Sequence, residues 1–183
     1  MFRPVLASLC SLLISVTASA QTDASSLLLN PTLRIDNATS PAPSGWRFDG
    51  TAVEFAADSA VKRSGLPSLR VKFAAGAPYA GVLQRLDGER VRGETLIIDG
   101  WLARDTASAP VGVWVRAFDK ERKSIAYVNS YELANPADGS FTRHVIELKV
   151  PDEAVALLIG ASIYGDTGTA WFSSVDAYIK RHK

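Results

Sequence analysis

Proton transfer, acyl transfer and metal chemistry each need particular side chains at workable spacing, and this chain is poor in them. It holds two histidines, His144 and His182, one cysteine, Cys10, and one methionine. His182 sits in the terminal run Lys180-Arg181-His182-Lys183, and His144 follows Arg143 in a stretch that alternates like a strand. No Gly-x-Ser-x-Gly elbow is present and no Cys/His pair can form, so nucleophilic catalysis has no local signature. Nor do His, Cys and carboxylates recur at metal-ligand spacing. Gly76, Gly81, Gly88 and Gly93 follow no strand-to-helix pattern of a phosphate loop. Paired carboxylates are the remaining enzymatic route. Asp87/Glu89, Asp119/Glu121 and Asp152/Glu153 are near-neighbours in turns, where a solvated charge is the ordinary role. A glycoside hydrolase would need two of Asp87, Asp99, Asp119, Glu132 and Asp166 to converge across a cleft. The expectation is a protein without catalytic residues.

The aromatic residues are more informative. In Val111–Asp119, Val113, Val115 and Ala117 alternate with Trp114, Arg116 and Phe118. In Ser124–Glu132, Ala126, Val128 and Ser130 alternate with Ile125, Tyr127, Asn129 and Tyr131. If the two stretches pair, the small and branched residues form one face, and Trp114, Arg116, Tyr127, Asn129 and Tyr131 share the other. Rings beside amide and guanidinium donors suit a sugar, whose C–H faces stack while its hydroxyls take the polar groups. The competing reading puts the same rings in the core, and Trp46, Trp101 and Trp171 are read that way. A platform made by Trp114 and Tyr127 would lose its ligand on substitution by alanine with little change in thermal midpoint.

These residues need strands to carry them. Ser68–Phe73 alternates cleanly, with Leu69, Val71 and Phe73 on one side and Arg70 and Lys72 on the other. Further strands are expected at Leu27–Ile35, Val53–Ala57, Gly81–Leu86, Thr95–Arg104, Val111–Asp119, Ser124–Glu132, Phe141–Val150, Val155–Tyr164 and Gly168–Ile179. Ser64-Gly65, Asp87-Gly88, Asn135-Pro136, Asp138-Gly139 and Gly165-Asp166 supply turns between them. The segment from Ala38 to Gly50 reads as a loop around a buried Trp46. No helical apolar stripe exceeds about two turns. Nine or ten short strands without helices predict an all-β antiparallel sandwich, a single domain over residues 27–180.

Composition agrees. With 183 residues, 47% hydrophobic and 21% charged, the chain has material for one core. A net charge of +1 lacks the footprint of a nucleic-acid binder. Residues 1–20 read as a cleaved secretory signal: Arg3, an apolar stretch from Val5 to Val16, then Ala18-Ser19-Ala20. The stretch is too short to span a bilayer core of roughly 30 Å, and no second run approaches that length. Residues 21–26 read as a flexible leader and 181–183 as a basic tail. Cleavage removes Arg3, Cys10 and Met1, which leaves 19 basic and 19 acidic residues and no thiol for a disulfide. The expected product is exported, periplasmic or extracellular.

Taken in order, Asn30-Pro31, Ser44-Gly45-Trp46, Ser64-Gly65 and Ser68-Leu69-Arg70-Val71 resemble the opening of the CenC-like carbohydrate-binding modules, families four, nine and relatives. The resemblance continues through Gly81-Val82-Leu83-Gln84, Gly100-Trp101-Leu102, Trp114-Val115-Arg116, Phe141 with Val150-Pro151, and Gly168-Thr169-Ala170-Trp171-Phe172. It covers residues 28–179 and implies a jelly roll of galactose-binding-like topology. On its concave sheet the resemblance places Gln84, Trp114, Arg116, Tyr127, Asn129 and Tyr131. Such modules bind β-glucans or xylans in a groove and perform no chemistry. Where many members carry carboxylates for a structural calcium, this chain has Ser173, Ser174 and Arg34. No cofactor is expected, and a calcium would have to rest on Asp36 or Asp176. The implied function is non-catalytic recognition of a polysaccharide or cell-envelope glycan. A second reading is an extracytoplasmic protein-interaction or assembly module that uses the same jelly roll, which predicts a contiguous apolar patch in place of a polar-lined groove.

Overall fold

Period-two alternation of apolar and polar residues builds ten strands, which a computed structural model describes over residues 25–35, 42–50, 54–72, 78–106, 109–165 and 167–181. The expected signal, most of the leader, the last two residues, Asp36, Phe73 and Asp166 lie outside these described residues. The strands are β1 (Arg47–Gly50), β2 (Glu54–Arg63), β3 (Leu66–Lys72), β4 (Tyr79–Asp87), β5 (Thr95–Arg104), β6 (Val111–Phe118), β7 (Ser124–Asn129), β8 (Thr142–Lys149), β9 (Ala156–Tyr164) and β10 (Thr169–Ile179). They form two five-stranded sheets with the orders β1-β4-β9-β6-β7 and β2-β3-β10-β5-β8. Every pairing is antiparallel. The expected β-sandwich is the observed fold.

Each sheet turns one face inward. Val82, Leu157, Ile159, Ala161, Val113 and Val115 from the first sheet meet Leu69, Val71, Ile98, Leu102, Phe172 and Val175 from the second, all buried. Apolar burial across that gap is the main favourable term in folding. A two-residue turn, Ser64-Gly65, with positive φ at both positions, joins β2 to β3 in the geometry that suits a tight hairpin.

Two local expectations are corrected. Leu27–Ile35 is not a strand. Asn30 and Leu33 take positive φ, and the Asn30 side chain closes a turn on Arg34, accepting from its N and donating to its O. An asparagine that bonds its own backbone neighbours offers the chain an alternative to a ladder. Arg47–Gly50 is strand β1, paired to β4, where a loop was expected. Trp46 itself is buried as read, and its indole N–H donates to the carbonyls of Leu29 and Asn30.

His144 is fully buried on the inner face of β8. The Leu102 carbonyl accepts from Asn135 Nδ2, which orients that amide, and the same Nδ2 lies 3.1 Å from His144 Nε2. Nε2 is therefore the acceptor and Nδ1 carries the proton, 2.9 Å from Ser130 Oγ. Ser130 Oγ also accepts from Val113 N and donates to Val113 O. This network ties the turn after β7 to both sheets, so the chain's one internal histidine is structural. Burial holds its pKa below the ordinary 6.5. Stability is then fully present above about pH 6.5 and is lost as pH falls below it, because the unfolded chain binds a proton that the folded one refuses. Urea unfolding should show a midpoint that drops between about pH 7 and pH 5. The slope should flatten in His144→Asn; an unchanged slope would assign the effect to other groups.

Candidate functional site

On the outer face of the first sheet, the registers lay out three rows. Asp49, Gly81, Ser162 and Gly112 form one; Arg47, Leu83, Gly160, Trp114 and Asn129 the next; Arg85, Leu158, Arg116 and Tyr127 the third. Above them runs a groove of about 420 Å3, lined by Arg47, Asp49, Tyr79, Leu83, Trp114, Arg116, Phe118, Tyr127, Leu158, Ser162 and Tyr164.

Glycine shapes its floor. At Gly160 a Cβ would stand 2.3 Å from the Val82 carbonyl and 2.8 Å from the Trp114 ring, so only glycine lets that indole lie down on β9. The indole N–H donates to Ser162 Oγ at 2.9 Å, which fixes the ring. At Gly112 a Cβ would stand 2.6 Å from Tyr131, so this ring too lies against bare backbone. Tyr131 meets Tyr164 edge-on at 4.6 Å, its hydroxyl donating to the Tyr164 hydroxyl, and Tyr164 stacks on Tyr79 at 5.6 Å. Tyr79 donates in turn to Asp49 at 3.2 Å. Burial pushes the Tyr131, Tyr164 and Tyr79 phenols above the usual range, with the Asp49 charge reinforcing the last. All three are neutral hydrogen-bonding groups at ordinary pH. Opposite this tyrosine wall, the Arg116 guanidinium lies 4.6 Å from the Tyr127 ring centroid.

Of the residues expected at a site, Trp114, Arg116, Tyr127 and Asn129 share this face, with Trp114 opposite Asn129 and Arg116 opposite Tyr127. Tyr131 follows β7 in a turn closed by Asn129 Oδ1, which accepts from the Tyr131 N–H. Gln84 is corrected. It pairs with Ile159 on the row that faces inward, is 7% exposed, and binds the Leu29 backbone through both N and O. That amide anchors the N-terminal segment. Trp114 also differs from expectation: at 7% exposure it presents an edge, with its face spent on the sheet. Trp101 and Trp171, read as core, lie half-buried on the outer face of the second sheet, under the Arg63 guanidinium and bonded to Asp58 respectively. Arg47, Asp49, Tyr79 and Tyr164 were not anticipated. The alternation of Arg47 and Asp49 about Phe48 was their signal, hidden when β1 was read as loop.

Among the described residues, no two of the candidate carboxylates line the groove. Asp49 is the groove's one carboxylate among the described residues, whereas Asp99 lies on the second sheet bound to Arg143, and Asp87 caps the 3-10 turn Gly88–Val91. Among the described residues no three His, Cys, Asp or Glu cluster as a metal site would require. Asp176 is already engaged by Ser26 and the Ala177 N–H.

No protein-family model matches the chain, and no curated protein matches it in sequence. Solved structures do. The chain is similar to TmCBM61, solved in complex with beta-1,4-galactotriose, with TM-score 0.58 and 13% identity over 86% of this chain and 100% of that one. It is similar to the CBM22-1 xylan-binding domain from Paenibacillus barcinonensis Xyn10C, with TM-score 0.59 and 16% identity over 76% and 88%. The likeness is one of fold, a sandwich of two antiparallel sheets. The enzymatically active domain of bacteriophage CBA120 tailspike protein 4 also matches, with TM-score 0.59 and 18% identity over 75% of this chain, which spans only 20% of that structure.

Trp114→Ala should cost about 3–5 kcal/mol, because a buried ring is removed from above a glycine that cannot fill the space. In calorimetry the midpoint should fall on the order of ten degrees. Tyr127→Ala, at 40% exposure, should move it far less. Equal shifts would mean that Tyr127 is as structural as Trp114.

Proposed function

We propose that this chain is an exported, non-catalytic binding module that holds a poly- or oligosaccharide in the groove of the first sheet. The carrying observation is the groove itself: an apolar floor of Leu83, Leu158 and Trp114, ringed by phenols, a hydroxyl and guanidinium groups. Sugars present that mixture in reverse, with C–H faces for the floor and hydroxyls for the rim. The structural likeness to modules whose ligands are xylan and galactotriose supports the reading. The lone Asp49 supports the non-catalytic part, since glycoside hydrolysis ordinarily employs two carboxylates. Export is supported by the pattern of residues 1–20.

A protein-docking role calls for contiguous apolar surface. The large exposed apolar residues among those described, Leu29, Leu66, Leu133 and Val145, sit on separate segments, and Tyr127 alone adjoins the groove. Scattered apolar residues are the normal condition of a soluble surface.

Screening the purified protein against a panel of polysaccharides, with and without calcium, tests the proposal. Saturable binding to one class is expected, with Kd on the order of micromolar to millimolar once association costs are counted. Tyr127→Ala should weaken it about tenfold or more while the fold stays intact. Absence of binding to every glycan would overturn the reading and turn attention to protein partners.

A further inference from the structure

We infer that the groove takes an acidic saccharide, a glycan carrying uronate carboxylates, with Arg116 and Arg47, which line it, and Arg85, next to the lining residue Leu158, as the groups that recognise the charge. This rests on the sugar-binding reading and names its substrate class.

The two outer faces differ in how their arginines are engaged. On the second sheet four cations have a carboxylate or ring partner. Arg70 pairs with Glu54 at 2.7 Å, Arg143 with Asp99 at 2.5 Å and Lys180 with Glu147 at 2.7 Å. Arg63 covers the Trp101 ring at 3.6 Å, beside Asp99, whose charge acts on it. On the first sheet the side chains of Arg47, Arg85 and Arg116 make no ion pair or hydrogen bond among the described residues. Arg47 and Asp49 stand two residues apart on the same face of β1, yet Asp49 accepts from Tyr79 and forms no ion pair with Arg47. The outward positions of this sheet therefore carry three permanent cations against two carboxylates, Asp49 and Asp87, and since Asp87 caps the 3-10 turn at the far end of β4, the charged residues lining the groove itself are Arg47, Arg116 and Asp49.

Their placement around the floor is specific. Arg85 on β4 and Arg116 on β6 flank Leu158, which β9 carries between them. With strands about 4.8 Å apart, their backbones stand roughly 10 Å from each other across Leu158. Arg47 stands beyond Leu83 on the neighbouring row, whose centre is bare Gly160. A sugar ring resting on Leu83 and Leu158 would have guanidinium groups on both flanks. Arg116 is held against the Tyr127 ring, 4.6 Å from its centroid. Guanidinium groups stay charged at every relevant pH and match a planar carboxylate with two parallel hydrogen bonds. A neutral glycan would use none of that charge. One carboxylate per sugar, with hydroxyls for Tyr79, Tyr164 and Asn129, uses both halves of the groove.

Isothermal titration of the purified protein against polygalacturonate, carboxyl-reduced polygalacturonate, neutral xylan and dextran sulfate tests the inference. The acidic polymer should bind at least about tenfold more tightly than its reduced form, and less so as salt rises. Arg116→Gln and Arg85→Gln should each lose about tenfold or more of that affinity, whereas Arg70→Gln on the second sheet should lose none. Equal binding of the acidic and reduced polymers, untouched by Arg116→Gln, would overturn the uronate inference and leave the sugar-binding reading standing. Dextran sulfate bound as tightly as polygalacturonate would also overturn it, marking the face as a general anion surface. Failure of every polymer, neutral and acidic, would remove the inference and the reading together.

Discussion

The register of β9 between β4 and β6 is the constraint on which the site depends. β9 is the middle strand of its sheet, and its pairings bring Gly160 under Trp114 and Ser162 within reach of the indole N–H. Side chains alternate with a period of two, so a slip of one residue would turn the β9 leucine and isoleucine set to solvent and the groove floor to the core. The inner residues Leu157, Ile159, Ala161 and Ile163 forbid that slip, since all four are fully buried. Core packing thus sets the register, and the register sets the groove. No residue of the groove floor has to be specified independently of the strand that carries it.

The same coupling explains which parts were legible beforehand. Strands β5, β6 and β10 stand out because their inward residues are branched and their outward ones polar or aromatic, so pattern and burial agree. The pairing of Trp114, Arg116, Tyr127 and Asn129 on one face follows from that alternation once β6 and β7 are adjacent. Gln84 misled because an amide beside a buried strand has two possible uses. Here the backbone of Leu29 arrives as a partner from 55 residues away, a contact no local pattern contains. β1 was missed for the reverse reason: four residues at a sheet edge offer too little alternation to distinguish a strand from a loop that happens to follow a buried tryptophan.

Trp114 shows why residue type and exposure must be separated. A tryptophan at an outward position suggests a stacking surface. Its face is instead consumed by Gly160, and the glycine is as much a determinant of the site as the ring above it. The ring left open for stacking on the proposed reading is Tyr127, which stays 40% exposed beside Arg116. Sequence could supply the ring but not its tilt, because the tilt depends on a missing Cβ on a strand distant in the chain.

The groove is therefore divided into fixed and movable parts. Trp114 is held by Ser162, Tyr131 by Tyr164, Tyr79 by Asp49, and Asn129 by the Tyr131 N–H. None of these contacts needs a ligand, so the shape of the floor and of the tyrosine wall is settled in folding. Binding then costs little side-chain entropy at those positions. The long side chains of Arg47 and Arg85, which lack partners among the described residues, are the groups left to be ordered by a ligand. Arg116 stands between the two classes, steadied by the Tyr127 ring without being fixed by a carboxylate. On the proposed reading, the part fixed in folding would set the shape a sugar chain must have, and the arginines on the rim would meet whatever charge that chain carries.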